Sequence, residues 1–168
     1  GFTGADLANL LNEAAILAAR RDLTEVSNEE ISDSIERVMA GPEKKDRVMS
    51  EKRKRLVAYH EAGHALVAYI LPNADMPFKV TIVARGQSGG HTRYLPDEDR
   101  HLWTRGQFQD MMAAAMGGRV AEELTFEDVT TGASSDLEQA TNIAQTIVTK
   151  YGMSEKLGPR TFGKREEM

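Results

Sequence analysis

Apolar residues recur every three or four positions over several stretches of the chain, which is the spacing that predicts amphipathic helices. The first predicted helix runs from about Ala5 to Arg20 and the second from Ser27 to Gly41. Both open with a capping-box pattern, formed by Thr3 with Asp6 and by Ser27 with Glu30. Two helices cannot enclose a core, so we expect them to be the end of a helical unit whose other members precede residue 1.

The same spacing predicts three further helices, from near Glu51 to Leu71, from Thr104 to about Leu124, and from Ser135 to Tyr151. In the first of these, the predicted buried side carries Leu56, Tyr59, Gly63, Val67 and Ile70. Glycine inside a helix costs about 1 kcal/mol relative to alanine, so Gly63 predicts close approach of another backbone. Gly117 and Gly118 predict a close crossing in the second helix, and Ser135 with Glu138 predicts a capping box in the third.

One stretch, Phe78 to Ala84, alternates in the way that β-strands do and is rich in β-branched residues. A glycine-rich turn over Arg85 to Gly90 follows, and His91 to Leu95 is the predicted return strand. The free edge of such a hairpin could accept an extended polypeptide as one more strand. The pattern therefore predicts a mainly α fold with a small β-hairpin or sheet.

Charged residues crowd the stretch from Glu43 to Arg55. We interpret it as a charged linker over residues 42–55, between a helical pair over residues 1–41 and a second domain over residues 56–168. The chain does not start with methionine, which indicates a fragment of a longer polypeptide.

Composition narrows the possible functions. The net charge of -5 argues against nucleic acid as a partner, since binding its phosphates needs a basic face. The chain has no cysteine, which excludes disulfides, thiolate catalysis and cysteine-type zinc sites. No apolar run approaches the roughly 20 residues that cross a bilayer, so we expect a soluble fragment with no membrane span.

The chemistry centres on His60-Glu61-Ala62-Gly63-His64, an H-E-x-x-H pattern inside a predicted helix. Residues four apart share one helix face, so both imidazoles can bind the same zinc ion. Glu61 lies one step around the helix, where it can take a proton from water instead of binding metal. The alternative, two histidines and a glutamate on an exposed helix face, is the weaker interpretation.

A catalytic zinc site needs a third protein ligand and one position open for water. Asp136, in the first turn of the last predicted helix, is one candidate. Glu122 and Glu123 are the others, as in enzymes that take a glutamate from a downstream helix. Spacing alone does not choose among them. It does exclude the pattern in which a third histidine follows six residues after His64, because Ile70 stands there.

Several ordered stretches resemble the FtsH family of membrane-anchored, ATP-dependent AAA zinc proteases. They are Gly1 to Leu7, Tyr59 to His64, Lys79 to Val83, Gly117 to Glu123 and Thr130 to Asp136. The resemblance implies a helical, zincin-like metallopeptidase domain preceded by two helices of an AAA small (lid) domain. It implies one Zn²⁺ per chain, held by His60, His64 and Asp136.

The same resemblance implies supporting and nucleotide-binding residues. Glu122 or Glu123 would hold a ligand histidine in place, and Gly4 and Ala5 would approach an adenine nucleotide. ATP and Mg²⁺ would act only in the full-length parent, because this chain has no phosphate-binding loop.

For the parent protein, the resemblance implies a hexameric ring of identical chains that degrades unfolded or membrane proteins. The parent would be anchored in a membrane, with this part on the cytoplasmic side or on the matrix or stromal side of an organelle. The alternative is a catalytically incomplete fragment that acts only as an oligomerisation or structural module.

Overall fold

A computed structural model describes residues 2–41, 49–84, 89–95, 100 and 102–163. Contacts between residues divide the chain into two units. One comprises Gly1–Val48 with Val83–Gly89, and the other comprises Met49–Ile82 with Gly90–Met168. Among the described residues, no helix combines the length and the apolar character that crossing a bilayer requires.

The first unit contains two helices, α1 (Gly4–Arg20) and α2 (Asn28–Ala40). Both predicted capping boxes form and fix where the helices begin. Helix α2 ends at Gly41, whose φ of 82° lies in the left-handed region that favours glycine. The buried residues of α1 are Leu10, Ala14 and Ala18, which lie on one face of the helix.

Among its described residues, the second unit contains three α-helices and a two-stranded sheet. The elements are α3 (Glu51–Ile70), β1 (Met76–Thr81), β2 (His91–Leu95), α4 (Arg105–Phe126), a 3₁₀ turn (Thr131–Ala133) and α5 (Ser134–Thr149). The predicted fold class, mainly α with a small hairpin, is confirmed. The predicted linker over 42–55 stays a prediction: residues 42–48 lie outside the described part, and residues from Glu51 onward already belong to α3.

Helices α3 and α4 cross where both carry glycine. A Cβ atom on Gly63 would collide with the carbonyl oxygen of Gly117, and one on Gly117 would lie 2.6 Å from the carbonyl oxygen of Gly63. The close approach predicted from these glycines is therefore present. It brings the backbones together at the level of His60 and His64.

The strands pair antiparallel, from Met76 with Leu95 to Thr81 with His91, and the register shifts between Pro77 and Lys79. The prediction of a strand from Phe78 to Ala84 is wrong at both ends. Strand β2 is five residues long, and its pairing with β1 runs from Met76 to Thr81. Residues 85–88 of the predicted turn lie outside the described part of the chain.

Two further predictions in this unit are wrong. Helix α5 has Ala133 as its N-cap and no side-chain cap, because the chain enters it directly from the 3₁₀ turn and Ser135 is already helical. The buried face of α3 carries His60, Glu61, His64 and Ala68, whereas Tyr59 and Ile70 are exposed.

Candidate metal centre

The two histidines of α3 lie one turn apart on its buried face, with their Nε2 atoms 3.0 Å apart. Nδ1 of His60 lies 2.7 Å from Oε1 of Glu122, and Nδ1 of His64 lies 2.8 Å from the carbonyl oxygen of Ala114. A carboxylate and a carbonyl can only accept, so both Nδ1 atoms carry the proton. Each Nε2 is therefore left with a lone pair directed at the other.

Helix α5 brings a carboxylate to the same point. Oδ2 of Asp136 lies 3.2 Å from Nε2 of His60 and 3.5 Å from Nε2 of His64. This oxygen is buried and has no hydrogen-bond partner among the described residues. Three acceptor atoms that face one another repel unless a cation lies between them.

The spacing of these atoms fits zinc. With zinc–nitrogen distances of about 2.0–2.1 Å, tetrahedral ligand atoms lie about 3.3 Å apart, close to the three separations observed here. The ligand atoms of His60, His64 and Asp136 all lie within 4.8 Å of one another, as a shared metal ion requires. Three protein ligands leave a fourth position for water or substrate.

Room for the imidazoles depends on Gly118 in helix α4. A Cβ atom at this position would lie 2.7 Å from both Cε1 and Nε2 of His60, and 2.5 Å from Nε2 of His64. Any side chain here would push the histidines away from their common point. Gly117 therefore accommodates the backbone of α3, whereas Gly118 accommodates the imidazoles of His60 and His64.

The two glutamates that the sequence could not separate lie in different surroundings. Glu122 is fully buried; one oxygen bonds His60, and the other accepts from the amide of Thr130 over 2.8 Å. Glu123 is exposed. Glu122 lies at the Nδ1 side of His60, away from the Nε2 atom that would face a metal. Glu122 is therefore better placed to orient His60 than to bind the metal as a third ligand.

Glu61 is buried beside the ligands, with 7% of its surface exposed. The hydroxyl of Thr92 in β2 lies 2.9 Å from its Oε2 and 3.0 Å from its main-chain oxygen. Burial raises the pKa of Glu61 above its ordinary value, against the opposing effects of Thr92 and the histidines. A carboxylate with a raised pKa is a better proton acceptor near neutral pH.

The electrostatic surroundings of His60, His64 and Asp136 favour a positive charge at the point where these side chains meet. Burial lowers the pKa of each histidine, but the nearby Asp136 carboxylate outweighs it, together with Glu122 beside His60 and Ala114 beside His64, so both pKa values are raised. Burial would raise the pKa of Asp136, yet the two imidazoles lower it strongly. The field that stabilises a proton here also favours a metal cation.

Family models match both parts of the chain. The model of peptidase family M41 matches residues 47–168, and that of the AAA+ lid domain matches residues 1–33. The chain belongs to peptidase family M41. Among similar M41 proteins, "ATP-dependent zinc metalloprotease FtsH 1" of Sphaerobacter thermophilus is 60% identical over 100% of this chain and 26% of its own length.

Two further relatives carry the FtsH name. The protein of a Synechococcus strain is 61% identical over 98% of this chain and 26% of its own length. A second FtsH 1, from Thermomicrobium roseum, is 58% identical over 100% of this chain and again 26% of its own length. The chain thus spans about a quarter of the curated relatives that it matches.

In this M41 chain, sequence reasoning missed Thr92 and the role of Gly118. Thr92 looks like an ordinary strand residue, and its contact with Glu61 spans 31 positions, so no local pattern marks it. The double glycine did mark a close crossing, but it could not show that imidazoles fill the space beside Gly118. Gly4 and Ala5 lie in the first unit, exposed in the first turn of α1.

Proposed function

We propose that this chain hydrolyses peptide bonds of protein substrates, with zinc held by His60, His64 and Asp136 and with Glu61 as the general base. The observation that supports this most is the meeting of three acceptor atoms beside a buried glutamate. The names of the relatives, ATP-dependent zinc metalloproteases, agree with it.

When bound, zinc would polarise the scissile carbonyl and lower the pKa of water from about 15.7 toward about 7. Glu61 accepts the proton of the attacking water and later delivers it to the nitrogen of the leaving amine. Thr92 bonds Oε2, so Oε1 is the atom that carries this proton. Glu122 and Ala114 keep Nδ1 of the histidines protonated, which leaves both Nε2 atoms for the metal.

In the intact protein, we propose that residues 1–41 belong to an AAA lid domain, residues 42–55 form a linker, and residues 56–168 form the peptidase domain. ATP and Mg²⁺ would bind mainly outside this chain, with Gly4 and Ala5 near the adenine. The match of residues 1–33 to the AAA+ lid domain and the exposure of both residues support this.

The substrates that we propose are unfolded or membrane proteins, degraded by a hexameric ring of identical chains anchored in a membrane. The peptidase part would lie on the cytoplasmic side, or on the matrix or stromal side of an organelle. These proposals rest on membership of the family, and nucleic acid has no part in them.

The test compares Glu61→Gln with the parent sequence in the intact protein, with ATP and casein as an unfolded substrate. We expect cleavage to fall about 10²- to 10⁴-fold, because the general base is lost, while zinc content stays at one ion per chain. Glu123→Gln is the matched control, since it makes the same change at an exposed position. His60→Ala should lose the zinc. Undiminished cleavage by Glu61→Gln would overturn the role of Glu61.

A further inference from the structure

Strand β2 runs along Glu61 and continues past it. At its start, a Cβ atom on Gly90 would lie 3.1 Å from Cγ of Glu61. Two residues on, Thr92 contacts the carboxylate of Glu61. The face of β2 that carries Thr92 is therefore the face that borders the metal centre.

Tyr94 lies two residues beyond Thr92 on this strand. Side chains two apart in a strand point to the same face. The register irregularity lies on β1, where Phe78 is the extra residue between the partners of Arg93 and Tyr94, and the residues of β2 follow one another without an insertion. Tyr94 therefore projects from β2 on the side of Thr92, about 7 Å further along the strand.

The charges of the site act on this tyrosine. Partial burial, followed by the negative charges of Glu61 and Asp136, raises the pKa of Tyr94 to about 12. The hydroxyl stays protonated at every pH at which a peptidase works. With 37% of its surface exposed, Tyr94 is also accessible to a bound peptide.

Hydrolysis of a peptide places negative charge on the carbonyl oxygen, which hydrogen-bond donors stabilise. Among the described groups around the site, the N–H donors of both histidines are already bonded to Glu122 and Ala114, and the hydroxyl of Thr92 is bonded to Glu61. Asp136 and Glu61 are acceptors. A protonated phenol on the same strand face adds a hydrogen-bond donor to the site.

We propose that Tyr94 is a catalytic residue that donates a hydrogen bond from Oη to the scissile carbonyl oxygen as that oxygen gains negative charge. The phenol keeps its proton throughout, so it forms and breaks no covalent bond. The proposal rests on the peptidase function proposed above, and it adds a residue of β2 to the reaction.

The experiment compares Tyr94→Phe with the parent sequence in the intact, zinc-loaded protein. The assay measures kcat and KM on an unfolded peptide, and a binding titration uses a phosphinic peptide whose tetrahedral phosphorus resembles the transition state. We expect kcat to fall about 10- to 100-fold and phosphinic-peptide affinity to fall by a similar factor. KM and zinc content should stay within about twofold, because the lost bond forms mainly in the transition state.

Tyr69→Phe is the matched control, since it removes the same hydroxyl from a side chain of α3 that is 67% exposed. The inference is overturned if Tyr94→Phe keeps both kcat and phosphinic-peptide affinity within about twofold of the parent sequence. Loss of zinc from Tyr94→Phe would also overturn it, by indicating a structural role. Absence of cleavage by the parent sequence and by Tyr69→Phe would instead contradict the proposed peptidase function itself.

Discussion

Nδ1 of His60 lies 2.7 Å from Oε1 of Glu122, and this contact joins helix α3 to helix α4 at the metal centre. The second oxygen of Glu122 accepts a hydrogen bond from the backbone N–H of Thr130. Thr130 is the N-cap of the 3₁₀ turn that leads to Asp136. One buried carboxylate thus contacts one proposed zinc ligand, His60, and anchors the segment that carries another, Asp136.

Replacing Glu122 by glutamine tests this arrangement. The neutral amide is a weaker acceptor for His60, so we expect zinc affinity to fall about 10- to 100-fold, as for other residues that orient a ligand. Competition with a chelating dye measures the affinity. Glu123→Gln is the control and should bind zinc as the parent sequence does. Equal affinity in both variants would show that Glu122 does not support the ligand.

Gly118→Ala should disrupt the metal site. The added Cβ would lie 2.7 Å from Nε2 of His60 and 2.5 Å from Nε2 of His64, so the imidazoles must move apart. We expect at least about a tenfold loss of zinc affinity, since ligand positions must hold to within a few tenths of an ångström. Gly106→Ala in the same helix is the control, because its Cβ would have no neighbour closer than 3.5 Å. Parent-like zinc binding by Gly118→Ala would contradict this geometry.

Gly63→Ala should lower the free energy of unfolding. Alanine favours a helix by about 1 kcal/mol over glycine, but here its Cβ would collide with the backbone of Gly117, which only separation of α3 and α4 can relieve. We expect a net destabilisation of about 1–3 kcal/mol, typical of overpacking. Urea unfolding followed by circular dichroism measures the change. A more stable Gly63→Ala variant would mean that the two helices adjust without cost.

Lowering the pH should destabilise the first unit, because Glu30 becomes protonated. Hydrogen bonds from Ser27 and then Arg21 lower the pKa of Glu30 from 4.5 to about 2. Between these values the unfolded chain binds the proton more readily, so this contribution to stability is present above pH 4.5 and is lost as the pH falls toward 2. Hydrogen exchange of amides in α1 and α2, compared at pH 5 and pH 3, follows the loss.

Glu30→Gln should remove most of the loss of protection between pH 5 and pH 3, measured relative to the intrinsic exchange rate at each pH, because the residue no longer titrates. Glu29→Gln changes the neighbouring carboxylate, whose side chain is 76% exposed, and should behave as the parent sequence does. A pH dependence that survives in Glu30→Gln would assign it to another group.

Prediction from sequence succeeded where local chemistry decides the structure. The predicted capping boxes at Thr3 and Ser27 form, because each depends on residues three positions apart. It failed at the start of α5, where a preceding 3₁₀ turn supplies the entry that Ser135 was expected to cap.

In helix α3, the pattern of apolar residues predicted the wrong buried face. The apolar stripe predicted burial of Tyr59 and Ile70, but the buried face carries His60, Glu61 and His64. Burying these polar groups is possible because Glu122, Ala114 and Thr92 satisfy them with hydrogen bonds. Those partners lie 31 to 62 positions away, beyond the reach of any helical periodicity.

The sequence by itself determined the existence of the helices, the capping boxes of α1 and α2, the hairpin and the pair of histidines, because each depends on residues a few positions apart. Only the tertiary structure decided which acidic residue meets the histidines and which glutamate contacts His60. It also decided that Gly118 leaves room for the imidazoles and that Thr92 holds Glu61. Those relationships join separate helices and a strand, and they depend on distances in space that the order of residues does not contain.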